Sequence, residues 1–181
     1  MNLPNKITMF RVVLIPFFVF FMLSEHIAYH NYIAVAIFIV ASLTDMLDGK
    51  IARKYNLVSN FGKFMDPLAD KLLVSSAMIC FVALPSNPMP AWVVIVIIAR
   101  EFIISGFRLV ASDAGVVIAA SYWGKIKTVT QMIMSILLIV NFDGYIINIV
   151  EYVFIYAALV LTVISLVDYM VKNWSVMRDG N

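Results

Sequence analysis

At 181 residues the chain is 63% hydrophobic and only 13% charged, with a mean hydropathy of +0.96. Soluble domains carry about 25% charged residues, so this composition excludes an ordinary soluble enzyme and predicts one membrane domain spanning residues 1–181. The formal net charge of +2 says little as a total, and the one cysteine, Cys80, rules out an intrachain disulfide and reads as a small apolar residue.

Charges, prolines and asparagines divide the chain into six apolar segments, at 7–24, 32–54, 61–84, 90–111, 121–141 and 148–171. Each is long enough, at about 1.5 Å per residue, to cross a hydrocarbon core of about 30 Å. The first lacks a small-residue cleavage site and reads as a retained span. The connections at 25–31, 85–89 and 142–147 contain no Lys or Arg, and all thirteen basic residues fall on the other side or in the adjoining helix halves. The positive-inside rule then puts both termini in the cytoplasm. The predicted fold is therefore all-α, with six transmembrane helices and both termini cytoplasmic. In this topology the sequon Asn173-Trp174-Ser175 is cytoplasmic and is discounted. Trp92 and the prolines Pro85, Pro88 and Pro90 suit an outer interface, and Trp174 an inner one.

The second and third segments carry four carboxylates that hydrocarbon does not tolerate. Asp45 and Asp48 lie three residues apart on one face of a helix, and Asp66 and Asp70 lie four apart on the next. An unpaired Asp at the centre of a bilayer costs about 2.5–3.5 kcal/mol on insertion scales. The connection Tyr55 to Asn60 is short, which makes the two helices antiparallel neighbours and puts both acidic pairs near the cytoplasmic surface. Two unit charges about 6 Å apart repel by about 3 kcal/mol at an effective dielectric of about 20. An all-oxygen ligand set suits hard cations, so two Mg²⁺ or Mn²⁺ ions bridged by shared carboxylates would neutralise the cluster and clamp a phosphate. His26 and His30 lie in the first outer loop, far from this cluster, which disfavours a zinc site there. Gly49 and Ala52 flank the acidic face, and Gly62 opens the next helix, where a diphosphate would approach the backbone. Small-residue helix packing is the competing explanation for the two glycines.

Cations for a second anionic group lie further along. Arg100, Glu101, Ser105 and Arg108 occupy the inner half of the fourth segment, and Gly124, Lys125, Lys127, Thr128 and Gln131 that of the fifth. Arg108 and Lys125 are the expected phosphate clamp, with Arg100 and Lys127 behind them and Glu101 orienting an arginine. The competing reading makes these cations headgroup anchors, which also suffices for Lys54, Lys172 and Arg178; Arg11 fits either role. Asp113, Asp143 and Glu151 read as interfacial charges, and Asp168 as the partner of some nearby cation.

The pattern Asp45-x2-Asp48-Gly49-x2-Ala52-Arg53-x8-Gly62-x3-Asp66-x3-Asp70 matches the signature of the CDP-alcohol phosphatidyltransferases at all eight fixed positions, and the resemblance extends over the whole chain. Within that family, Leu3-Pro4-Asn5-x2-Thr8-x2-Arg11, Met65 to Lys71, Arg100-Glu101 and Gly124-Lys125-x-Lys127-Thr128-x2-Gln131 resemble the bacterial branch that uses sn-glycerol 3-phosphate. The resemblance implies that Asp45, Asp48 and Asp66 hold one metal ion and Asp45, Asp66 and Asp70 a second, with Asp70 also the general base. It implies that Gly49, Arg53 and Ser59, with Asn5 to Thr8, contact the CDP moiety of CDP-diacylglycerol. It further implies a homodimer in the bacterial cytoplasmic membrane, with its active site facing the cytoplasm.

An ion or proton transporter is disfavoured, because the acids cluster near one face instead of forming a relay across the bilayer. A structural scaffold gives no reason for the Asp spacing. The cation set argues for a phosphorylated acceptor over serine or choline, and leaves inositol phosphate and phosphatidylglycerol open beside glycerol 3-phosphate.

Overall fold

The computed structural model describes residues 2–24, 26–54, 60–113, 116, 118 and 121–174, without side-chain placement at 45–54, 60, 63, 64, 67 and 113. All regular structure among the described residues is helical: α1 Leu3–Leu23, α2 His30–Lys54, α3 Asn60–Ala83, α4 Ala91–Asp113, α5 Tyr122–Val140 and α6 Tyr145–Lys172. The helices follow the six apolar segments and overrun several of their ends. α1 starts at Leu3, ahead of its apolar stretch, because Pro4 occupies the first turn, where its fixed φ favours a helix and its missing N–H is no loss.

Among the described residues, three helices are long and apolar enough to cross a membrane: α1, α5 and α6; the apolar part of α2, His30–Thr44, is shorter. The reason is local. In α4 the charges Arg100, Glu101 and Arg108 break the apolar run, and in α3 Asp66, Asp70 and Lys71 do so. Exposed Phe10, Phe17 and Phe20 on α1, and Val160, Val163 and Val167 on α6, form surfaces suited to hydrocarbon.

The chain packs as two compact units, Met1–Asn87 with Leu138–Asn141, and Pro88–Leu137 with Phe142–Asn181. In the first, α1 packs against both α2 and α3. Its inward face is Asn5, Thr8, Arg11, Ile15, Phe18 and Met22, all buried at spacings of three and four. Phe18 meets Phe38 of α2 with ring centroids 5.8 Å apart. Fully buried Ala34 and Ala41 on α2, and Ala69 and Ala77 on α3, allow close approach of the backbones. In the second unit α4 packs on α6, where Phe107 meets Tyr169 edge to face at 5.6 Å.

Glu151 departs from the interfacial charge expected of it. It is 2% exposed, and its Oε1 has no hydrogen-bond partner among the described residues. The cause is helical register: Glu151, Ile155, Ala158, Thr162, Ser165 and Tyr169 form the one face that α6 buries.

Candidate active site

In the first unit, the antiparallel run of α2 and α3 brings the C-terminal half of one and the N-terminal half of the other to the same end. Asp45 and Asp48 belong to the last three turns of α2, and Asp66 and Asp70 to the first three of α3. The side chains of Asp45, Asp48, Ala52 and Arg53, and the surroundings of Gly49, lie outside the described set, as does Ser59 altogether. Gly62 is buried in the first turn of α3.

Asp66 is half-buried, and its Oδ1 accepts a hydrogen bond from the Thr8 hydroxyl at 2.6 Å. Asp70 is half-buried too, with 48% of its side chain exposed and Oδ2 3.7 Å from Lys71 Nζ. Among the described residues no three His, Cys, Asp or Glu side chains come together as a metal site. The described pair still fits a divalent cation. Both are carboxylates, each with about four lone-pair positions, so Asp66 can accept from Thr8 and still ligate. His30 opens α2, and the fifteen residues from there to Asp45 span about 22 Å of helix. A pocket of about 170 Å³ lined by His30, Asn31, Ser86, Asn87 and Asn141 lies at that far end, away from the carboxylates.

Asn5 and Thr8, expected at the nucleotide, are 6% and 0% exposed and sit on the inward face of α1. Arg11 is on the same face and fully buried. That is not the environment of a headgroup anchor, which extends to water.

In the second unit the expected acceptor cations fall into two groups. Arg100 and Lys127 are buried, and both bind one carboxylate oxygen: Arg100 Nη1 donates to Glu101 Oε1 at 3.0 Å, and Lys127 Nζ donates to the same Oε1. Arg108 and Lys125 are exposed. Gly124 lies beside this triad, since a Cβ there would sit 3.7 Å from Arg100 Nη2 and 3.3 Å from Ser121 Oγ.

Three further buried donors have no hydrogen-bond partner among the described residues: Arg100 Nε, Gln131 Nε2 and the Tyr169 hydroxyl. Buried donors are ordinarily paired, so their number in one unit marks polar capacity that packing does not use. Gln131 belongs to the stripe read from the sequence. Tyr169 was missed, although Thr162, Ser165 and Tyr169 recur at spacings of three and four on α6, which is the available signal. Asp168 pairs with Lys172 one turn on, at 2.6 Å.

An end of α2 and α3 rich in Asp and Gly, and a second unit with buried cations, is the polar equipment of an enzyme that handles anionic substrates at a membrane. Residues 1–164 match the CDP-alcohol phosphatidyltransferase family, and the chain belongs to that family. It is 45% identical to the CDP-diacylglycerol–glycerol-3-phosphate 3-phosphatidyltransferase of Bacillus subtilis, with 99% of each chain covered. Proteins of the same name from Haemophilus influenzae and Shigella flexneri are 38% and 39% identical; the match covers 93% of this chain in both cases, and 91% and 93% of theirs.

Proposed function

We propose that the chain transfers the phosphatidyl group of CDP-diacylglycerol to sn-glycerol 3-phosphate, giving phosphatidylglycerophosphate and CMP. The observation that carries this reading is full-length similarity to relatives of that name, joined to an unbroken eight-position signature from Asp45 to Asp70.

The acceptor hydroxyl attacks the β-phosphorus of the CDP-lipid. A new P–O bond forms, the bond to the CMP oxygen breaks in line, and the hydroxyl proton passes to Asp70. Positioning and charge neutralisation do most of the work in phosphoryl chemistry of this kind. Asp45, Asp48, Asp66 and Asp70 would hold two divalent ions, Mg²⁺ or Mn²⁺, which supply neutralisation of the diphosphate and of departing CMP. Asp70, with 48% of its side chain exposed, suits a base that must reach an incoming acceptor. Gly49, Ala52, Arg53, Ser59 and Gly62 line the CDP-lipid, together with Asn5 and the α1 segment that follows it.

The acceptor phosphate falls to Arg108 and Lys125, with Arg100 and Lys127 behind them, held on Glu101. Gln131 and Tyr169 join that set on the strength of their unpartnered donors. We place all six helices across the bacterial cytoplasmic membrane, as one domain with both termini and the active site on the cytoplasmic side. The diacyl tails then remain in the bilayer while CDP and glycerol 3-phosphate meet water. A homodimer is the expected assembly.

The test is CMP release by the purified chain with CDP-diacylglycerol and Mg²⁺ or Mn²⁺, given glycerol 3-phosphate, inositol phosphate, serine or phosphatidylglycerol separately. Metal-dependent release with glycerol 3-phosphate alone is expected. Release with another acceptor would keep the carboxylate chemistry and overturn the acceptor assignment.

A further inference from the structure

The Thr8 hydroxyl has one proton, and the oxygens it meets among the described residues include two that compete for it. Pro4 O, one turn back on α1, is 3.2 Å away, and Asp66 Oδ1 on α3 is 2.6 Å away. A helical threonine usually returns its proton to the carbonyl four residues earlier. Here the carboxylate is nearer, and 2.6 Å is a short O–H···O distance of the kind carboxylate acceptors make. Thr8 is also fully buried, and a β-branched side chain has few χ1 states to choose from. Its hydroxyl is therefore held in place by packing, with Pro4 fixing the start of the helix that carries it.

We propose that Thr8 is a positioning residue for Asp66: it occupies Oδ1, fixes the rotation of the carboxylate, and presents the remaining lone pairs to a divalent cation. This rests on the reading of Asp66 as a metal ligand, and it moves Thr8 from the nucleotide to the support of the metal site. Metal-binding carboxylates are commonly held by such outer hydrogen bonds, and losing one typically weakens metal affinity about 10–100-fold. The bond also ties α1 to α3, so the N-terminal helix becomes part of the site without touching the reacting atoms.

The experiment titrates Mn²⁺ into the purified full-length chain without substrates, following free Mn²⁺ by electron paramagnetic resonance. Four forms are compared: unaltered, Thr8→Val, Thr8→Ser and Asp66→Asn. Thr8→Val is nearly isosteric and lacks the donor, so its apparent Mn²⁺ dissociation constant should rise about tenfold. Thr8→Ser retains the donor and should stay within about twofold of the unaltered chain by the same reasoning. Melting temperatures identify a variant that is merely misfolded; if Thr8→Val is, Thr8→Ala takes its place.

Unchanged Mn²⁺ binding in Thr8→Val, with binding lost in Asp66→Asn, would overturn the positioning role alone. An increased KM for CDP-diacylglycerol with unchanged Mn²⁺ binding would return Thr8 to the nucleotide. Asp66→Asn binding Mn²⁺ normally, or no binding by the unaltered chain, would overturn the metal reading beneath it.

Discussion

Replacing Glu101 by glutamine should destabilise the second unit by removing the carboxylate that Arg100 and Lys127 share. The triad Arg100–Glu101–Lys127 carries a net charge of +1 in side chains only 9%, 14% and 3% exposed. At the 3.0 Å separation of Arg100 and Glu101, an effective dielectric of about 20 gives a gross attraction of about 5 kcal/mol. Removing one partner of a buried pair typically costs about 3–5 kcal/mol, because the remaining charge stays buried. Glu101→Gln leaves a net +2 in the same space, and a loss of about 3 kcal/mol follows, or about 6–12 °C in melting temperature for a chain of this size. Lys127→Met spares the Arg100–Glu101 bond, so it should cost less. With Lys127 already gone, Glu101→Gln should cost about half as much, leaving a coupling energy of at least about 1 kcal/mol. Thermal unfolding of the four forms in one detergent, followed by circular dichroism, completes the cycle. Losses that simply add would show that Glu101 does not hold Lys127 and would refute the shared-oxygen arrangement.

Asp70→Asn should abolish turnover while CDP-lipid binding is largely retained; near-normal turnover would remove Asp70 as the base. Arg108→Ala and Tyr169→Phe should each raise the KM for glycerol 3-phosphate several-fold with little change in that for the CDP-lipid. Because the Tyr169 hydroxyl has no partner among the described residues, Tyr169→Phe should leave the melting temperature within about 2 °C, as expected when no hydrogen bond is lost. An unchanged acceptor dependence would exclude the residue concerned. In a Cys80→Ala background, a thiol-specific membrane-impermeant reagent should label Ser86→Cys from outside the cell and Asn173→Cys only after the membrane is opened; the reverse pattern would invert the topology.

The helices were legible because hydropathy is a property of local runs, and the breaks between those runs are where charges and prolines fall. The carboxylates were legible because three- and four-residue spacings translate directly into helix faces. What the sequence did not disclose are choices made by packing. Thr8 reads as a nucleotide contact, and its partner, 58 residues away, depends on how α1 lies against α3. Glu151 sits near the end of an apolar run, like a headgroup-level charge, yet its register puts it on the buried face of α6. Arg100 and Lys127 read as two members of a phosphate clamp; the structure gives both to Glu101, 26 residues from the lysine. In each case the residue type was informative and the partner was not, because partners are set by tertiary contact.

The polar residues obey one further regularity. On α1 they occupy the N-terminal half, with Asn5, Thr8 and Arg11; on α2 the C-terminal half, with Asp45 and Asp48; on α3 the N-terminal half again, with Asp66 and Asp70. In the second unit Arg108 lies in the second half of α4 with Arg100 and Glu101 just before its midpoint, Lys125 and Lys127 lie in the first half of α5, and Ser165, Asp168 and Tyr169 lie in the second half of α6. Successive crossings of a bilayer reverse direction, so polar halves that alternate from helix to helix are what membrane helices with one polar side would show, with Glu151 in the first half of α6 as the exception. It also explains why α3 and α4 fall short of the apolar length that α1, α5 and α6 reach. On the proposed reading their charges serve the chemistry, and a helix that contributes several charged groups to a site near one membrane face gives up apolar length at that end. On the proposed reading, the weak transmembrane signals of α3 and α4 follow from the carboxylates and cations that these helices contribute.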